Sequence, residues 1–436
     1  MWLTESETIV SLDEEVSDAE IECATLDNSI ISPFRGSFHS EQQRHLASLK
    51  DKLISKGQPP NLVVLLEDGN FDDALKLCKE GNSRVRQDVA LLWSCIKGNS
   101  EIAKRLLDQG AHPESRDSDG YSALHLSAES GSHITLKHLI ASGARVSGPS
   151  SWDTRGEVTP LMLAAQAVSV ECMRVLIQAG VEVDAGLKDK RESALHFAVR
   201  TGSIECVQIL LAANAVVNPL LLYSETPLHI AVDEGYSEIV DMLLDAGADL
   251  RASKGSNKSS ALHIAALDGY FHIANQLLKE GADPNQENSR GQTPLHLASK
   301  SQCFDTVQAL LNYKANPNAT DRDGRTPLHT GLIKGSKSFD CLKLLVEKGS
   351  DPNTADCAGY TPLHLAALHE SNYCVSLFLK HGGDVTAYTK GGLSALNIIL
   401  RRTPNVMGHF HENLNNAIAF IDMDHYHDRD NQVSAY

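Results

Sequence analysis

The 436-residue sequence contains no apolar run near the ~18–20 residues that cross a bilayer, so no membrane span is expected in this chain. It has no excess of basic charge. Lys and Arg total 39 against 56 Asp and Glu, a formal net charge of −17, which argues against a general nucleic-acid binder. The opening Met1-Trp2-Leu3-Thr4-Glu5-Ser6-Glu7 has neither the basic n-region nor the apolar h-region of a secretory signal. Nine cysteines are scattered from Cys23 to Cys374 without a C-x-x-C pair; this odd number fits reduced thiols in a cytosolic protein. There is no G-x-x-x-x-G-K-[ST] stretch, and Lys390-Gly391-Gly392 does not open a phosphate-binding helix after a strand. No cofactor and no enzymatic activity are expected.

What the chain has instead is repetition. Thr226-Pro227-Leu228-His229 recurs as Thr293-Pro294-Leu295-His296, Thr326-Pro327-Leu328-His329 and Thr361-Pro362-Leu363-His364. Ser122, Ser193 and Ser260 begin copies in which Ser-Ala replaces Thr-Pro, and Thr159-Pro160-Leu161-Met162 loses only the histidine. Successive copies start about 33 to 37 residues apart. Without repeats, a chain with 42% hydrophobic and 22% charged residues would suggest two or three globular domains; with them, one repeat array is the better reading.

The physics of one unit follows from its residues. Thr226 is a helix N-cap, and Pro227 sits at the first helical position, where its missing N–H costs nothing. Leu228, Ile230 and Ala231 form an apolar face, and Gly235 ends this short helix. Ile239, Val240, Leu243 and Leu244 mark a second helix, which Gly247 ends. The polar residues from Ala248 onward must turn back as a finger. Such a unit cannot bury its own apolar face, so neighbours must stack. Cys172, Cys206, Cys303 and Cys341 fall at similar places in second helices and are expected in the core.

In chain order, residues 1–40 form an acidic arm that reads as disordered, or as a docking segment for a basic partner. Residues 41–121 hold one helix, then degenerate copies from Asn61 with their second helix closing at Gly110. The regular repeats span 122–393. Ser394 begins a partial copy over 394–402. Residues 403–436 give an amphipathic helix (Val406, Phe410, Leu414, Ile418, Ile421) and an acidic, His-rich tail.

Most of the suggestive chemistry dissolves on inspection. His409, His411, His425 and His427 do not form the ordered cluster that a metal site requires, so no metal is expected. Asp117-Ser118-Asp119-Gly120 and Asp321-Arg322-Asp323-Gly324 open like calcium loops but run into helix starts, so they read as finger turns.

From about Asn61 to Arg402 the chain resembles the ankyrin-repeat family. The resemblance implies an all-α solenoid of helix pairs with β-hairpin fingers, a non-enzymatic module that holds protein partners on the face made by fingers and first helices. It also implies that His125, His196, His229, His263, His296, His329 and His364 bond to backbone groups of their own and neighbouring repeats. The exit of the array, Gly392-Leu393-Ser394-Ala395-Leu396-Asn397 into Arg401-Arg402-Thr403-Pro404-Asn405-Val406-Met407, is similar to that of TRPA-type cation channels, closest to the Pyrexia- and Painless-like members. That implies a cytosolic region of a channel involved in sensory ion transport, with channel subunits as partners, in the cytoplasm or at the inner face of the plasma membrane. The alternative is a free cytosolic adaptor or scaffold.

The fingers carry a more specific expectation. Lys188, Lys190, Arg191, Arg251, Lys254, Lys258, Arg290, Arg322 and Arg325 would form a cationic strip if successive fingers align. The strip would take an acidic peptide, a phosphorylated segment or an anionic headgroup; solvated turn residues are the alternative. Trp152, on the extended finger Gly148–Arg155, is a second candidate anchor.

Overall fold

The structure is a computed structural model that describes residues 38–56, 61–79, 84–146, 158–185, 192–218, 225–332 and 339–406. Among these residues the regular structure is helical, with three isolated antiparallel bridges, Arg116 to Ser122, Lys254 to Ser259 and Tyr388 to Ser394. The chain divides into two compact units.

The first unit contains α1 (Phe38–Ser55), α2 (Asn61–Glu67), α3 (Phe71–Lys79), α4 (Arg84–Ile96), α5 (Ser100–Asp108), α6 (Ala123–Glu129) and α7 (His133–Ala141). The pairs α2/α3, α4/α5 and α6/α7 are the repeats. First helices stack on first helices (α2 on α4, α4 on α6), and α5 stacks on α7. The core is what the apolar spacing dictates, with Leu62, Leu66, Leu91, Leu92, Leu106, Leu124 and Leu136 fully enclosed. Among the described residues helix α1 is not part of a helix pair of this kind; it packs on α4.

The second unit continues with α8 (Pro160–Gln166), α9 (Val170–Gln178), α10 (Ala194–Arg200), α11 (Ile204–Ala212), α12 (Pro227–Asp233), α13 (Ser237–Asp245), α14 (Ala261–Asp268) and α15 (Phe271–Lys279). It ends with α16 (Pro294–Ser301), α17 (Phe304–Asn312), α18 (Pro327–Leu332), α19 (Phe339–Glu347), α20 (Pro362–Leu368), α21 (Asn372–Lys380) and α22 (Ala395–Arg402). Each even-numbered helix from α8 to α20 packs on the next even one, and each odd-numbered helix from α9 to α19 on the next odd one. Two layers of helices thus hide the apolar faces that no single pair could cover.

Local sequence sets each helix start. Thr226 accepts the His229 backbone N–H, and Pro227 is the first helical residue. Gly247 follows the end of α13 with φ +83°, and its N–H donates to the Leu244 carbonyl. Cys172, Cys206 and Cys341 are buried as expected, whereas Cys303 is half-buried. It is the N-cap of α17, one residue outside the helix; the place that Cys172 holds as third residue of its helix falls here to the buried Thr306.

The expected β-hairpins shrink to tight turns with single bridges, because side chains take the backbone donors that a ladder would use. Asp321 Oδ1 accepts the N–H groups of Asp323 (3.0 Å) and Arg325 (2.8 Å). Asp117 does the same for Asp119 and Tyr121, and Asp356 for Ala358 and Tyr360. Asp117 and Asp321 thus make the finger turns that the sequence suggested, and Asp356 makes a third, each with one carboxylate oxygen already engaged.

Candidate partner interface

Four motif histidines, His196, His263, His296 and His329, join their first helix to the finger that follows it, whereas Nε2 of His229 and of His364 is buried without a hydrogen-bond partner among the described residues. The backbone N–H of Thr293 donates to His296 Nδ1 at 3.0 Å, and the Thr293 hydroxyl lies 2.9 Å from the same nitrogen. An Nδ1 that accepts an amide proton leaves the ring's own proton on Nε2. Nε2 then donates to the Arg325 carbonyl of the next finger at 3.0 Å. The same bond runs from His196 to Glu225 (3.2 Å), from His263 to Gln292 (3.0 Å) and from His329 to Tyr360 (3.0 Å). Histidine thus takes the Glu/Gln place of a capping box, reaching back to the N-cap N–H at His125, His196, His229, His263, His296, His329 and His364. Burial holds His229 and His263 neutral, pushing each down to about 4, and burial lowers His196, His296, His329 and His364 as well.

With the fingers fixed in this way, their tips bond to one another. The N–H of Ser289 donates to the Asn257 carbonyl (2.8 Å), Arg322 to Arg290 (2.9 Å), Cys357 to Asp323 (2.7 Å) and Lys390 to Ala358 (3.0 Å). Behind the tips, asparagines bridge repeats. Asn318 Oδ1 accepts from the Asp351 N–H at 2.8 Å, and its Nδ2 donates to the Gly349 carbonyl at 2.9 Å. Asn285 and Asn353 do the same one repeat earlier and one later.

This alignment brings part of the expected cationic strip together. Arg290 and Arg322 are exposed on bonded tips, with Arg325 at the base of the same turn. Arg251 is exposed on an earlier finger, its N–H held by Asp249. Trp152, Lys188, Lys190 and Arg191 lie outside the described residues, as do His409, His411, His425 and His427 and the arm up to residue 37.

Lys254 does not contribute a free charge to the strip. Its Nζ lies 2.7 Å from Glu225 Oε1 and also bonds Asp233. Arg200 completes the network, 3.0 Å from Glu192 and 3.5 Å from Glu225. Burial alone would lower Lys254 and raise Glu225, but their mutual attraction reverses both, so Lys254 moves up and Glu225 down. Asp268 has the opposite balance: burial and the nearby Asp233 charge raise it. The carboxylates at the finger ends, Glu192 and Glu225, each immediately precede an N-cap residue. That position is the one sequence signal that could have exposed the network.

A second cluster was invisible in the sequence. His45 of α1 is 5% exposed. Its Nδ1 lies 3.0 Å from Asp117 Oδ2 and its Nε2 3.3 Å from Glu129 Oε2. The Tyr121 ring stands edge-on, 4.9 Å from the imidazole centroid. Burial pulls the His45 pKa down, but hydrogen bonds and charges from Asp117 and Glu129 outweigh it and raise it to about 9. His45, Asp117 and Asp119 lie close enough to face a metal ion together. A metal at Nδ1 would have to break the existing bond to Asp117, so the arrangement reads as an ion pair.

The geometry matches what comparison with known proteins finds. The profile of ankyrin repeats matches residues 55–150, 161–254, 262–356, 314–389 and 334–405. The chain belongs to the ankyrin-repeat family. It is 42% identical over 429 residues, 97% of its length, to the transient receptor potential channel pyrexia of Drosophila melanogaster. It spans 44% of that relative's length. It is also 37% identical over 129 residues to a putative palmitoyltransferase, ZDHHC13, of Danio rerio, covering 29% of this chain and 19% of that protein. Among solved structures, the human ASB11 ankyrin repeat domain aligns with a TM-score of 0.46 and 29% identity, over 52% of this chain and 98% of that one. No helix among the described residues is long and apolar enough to cross a membrane.

Proposed function

We propose that this chain is a non-enzymatic interaction module that serves as the ankyrin-repeat region of a TRPA-like cation channel, placed at the inner face of the plasma membrane. The carrying observation is likeness to a channel along nearly the whole chain, 97% of it, beyond the stretches that match the repeat profile. The work of such a region is to bind and to transmit strain. Ordered fingers tied tip to tip suit that work, because a load on one repeat passes through backbone bonds to the next.

The contact surface we assign is the finger edge. On it, Arg251, Arg290, Arg322 and Arg325 would receive an acidic segment of a channel subunit; Lys188, Lys190, Arg191 and Trp152 are proposed as partner-binding residues from the sequence alone. Lys254 positions the inner network instead.

Two measurements test this. Co-expression of the tagged chain with a pore-forming TRPA-like subunit should recover the two together from membranes. A chain that stays in the soluble fraction and recovers only soluble partners would favour the free adaptor. Separately, reversing Arg290 and Arg322 to Glu should weaken binding of a hexaglutamate-bearing peptide about tenfold and flatten its salt dependence. Unchanged affinity would remove the finger edge from the proposal.

A further inference from the structure

We propose that the first-helix and finger face of the first unit is a groove for one amphipathic, cation-bearing helix, that α1 is its resident occupant, and that an outside partner reaches this face only by displacing α1. The inference does not depend on the channel assignment.

The position of α1 is the first ground. It packs on first helix α4, its Lys50 reaches Glu67 at the end of first helix α2, and its His45 reaches Glu129 at the end of first helix α6. It also lies along the finger that follows α5. Ser48 bonds Ser118, the Lys52 ammonium donates to the Arg116 carbonyl, and Arg44 lies 3.6 Å from Asp119. One helix therefore packs on one first helix, reaches the ends of the two flanking ones and lies along a finger.

The chemistry of the contact is the second ground. A core helix is held by apolar burial on all contacting sides. Helix α1 has one apolar row, Leu46, Leu49 and Leu53, flanked by a polar row, His45, Ser48 and Lys52, that meets polar groups across the groove. A small gap also remains under it, lined by Gln42, His45, Ile96, Leu126, Glu129 and Ser130. A polar row beside the apolar one is the pattern of a docked ligand, with its polar rim, more than of an interior.

The third ground is charge. Asp117 is fully buried beneath α1 and Glu129 nearly so. Without α1 the groove would present two carboxylates with no cation between them. A helix lacking a cation at the His45 position would bury Asp117 Oδ2 and the Glu129 carboxylate without that counter-charge, a penalty that makes the site selective.

The test uses the full chain and a fluorescein-labelled peptide of residues 38–55, followed by fluorescence anisotropy. The wild-type chain should take up little peptide, because the tethered copy competes at high effective concentration. A His45→Asp chain sets three carboxylates together, releases its own α1 and should capture the wild-type peptide at least tenfold more tightly than wild type does. A peptide carrying His45→Asp should not be captured by either chain. His45→Gln, which keeps hydrogen bonding without the charge, should fall between, and it decides on the same criterion if the aspartate chain loses helix content. The proposal is overturned if neither variant captures more peptide than wild type, or if the wild-type chain binds the peptide as tightly as the variants do.

Discussion

Gly359 lies directly under the backbone nitrogen of Lys390, so close that a Cβ at Gly359 would stand 2.7 Å from it. The two belong to successive fingers, and the Lys390 N–H donates to the Ala358 carbonyl next door. The absence of a side chain at one finger tip is what lets the next tip close over it.

That relationship separates two glycines of the same backbone type. Gly359 has φ +86° and Gly382 has φ +84°, but nothing lies within 4 Å of a Cβ at Gly382. Gly382→Ala should therefore cost only the left-handed strain, about 1 kcal/mol, while Gly359→Ala adds a backbone clash and should cost on the order of 2–3 kcal/mol. Urea unfolding of the two variants checks the order; equal losses would show that the fingers shift apart freely.

Six of the motif histidines, His196, His229, His263, His296, His329 and His364, predict an acid limit. Their folded pKa values lie below the unfolded value, so the unfolded chain binds more protons once the pH drops under about 6.5. The stability they confer is full above that pH and is lost as the pH falls toward the folded value, about 4 for His263. At roughly 1.4 kcal/mol per pKa unit, His263 alone accounts for about 3 kcal/mol across that window. His263→Gln keeps a capping-box partner at the third helical position but does not titrate. Its unfolding midpoint should fall less steeply than wild type between pH 6.5 and 4. Parallel pH profiles would mean that the ring is not held neutral.

His45 carries the opposite sign. Its folded value is raised to about 9, so its contribution is complete below about 6.5 and disappears as the pH climbs through 9. Nitrogen NMR of the imidazole should place its titration near 9 in the wild-type chain. Asp117→Asn, which removes the charge 3.0 Å away, should bring it down by a unit or more. An unperturbed titration near 6.5 would show that His45 is not clamped between carboxylates.

The asparagine bridges give a prediction at exposed positions, where substitutions usually cost little. Asn318 makes two hydrogen bonds to the following repeat, 2.8 and 2.9 Å long. Asn318→Ala should lose about 1–2 kcal/mol in urea titration, at one net hydrogen bond's worth each. Asn318→Asp keeps the acceptor but points a carboxylate oxygen at the Gly349 carbonyl, and should be no better than alanine. A neutral outcome for both would mean that water replaces the bridge without loss.

Read residue by residue, most of the fold was already written in the chain. Thr226 capping His229, Pro227 opening α12 and Gly247 closing α13 all involve partners within a few positions, so local spacing decides them. Even the rising count of such units required stacking, because Leu228 and Leu243 have nothing within one pair to hide behind. The finger turns were legible for the same reason, Asp321 reaching only as far as Arg325.

The tertiary structure alone decided which charges remain available and which faces remain open. Lys254 looked like one more basic finger residue, but stacking sets it against Glu225 and Asp233, 29 and 21 positions away, and it turns inward. His45 had no local signal at all, since its partner Asp117 is 72 positions distant. Sequence periodicity reports contacts that recur along one helix or one repeat. It carries no record of pairings between groups that only the packing of separate repeats, or of an added helix, brings within a few ångströms of each other.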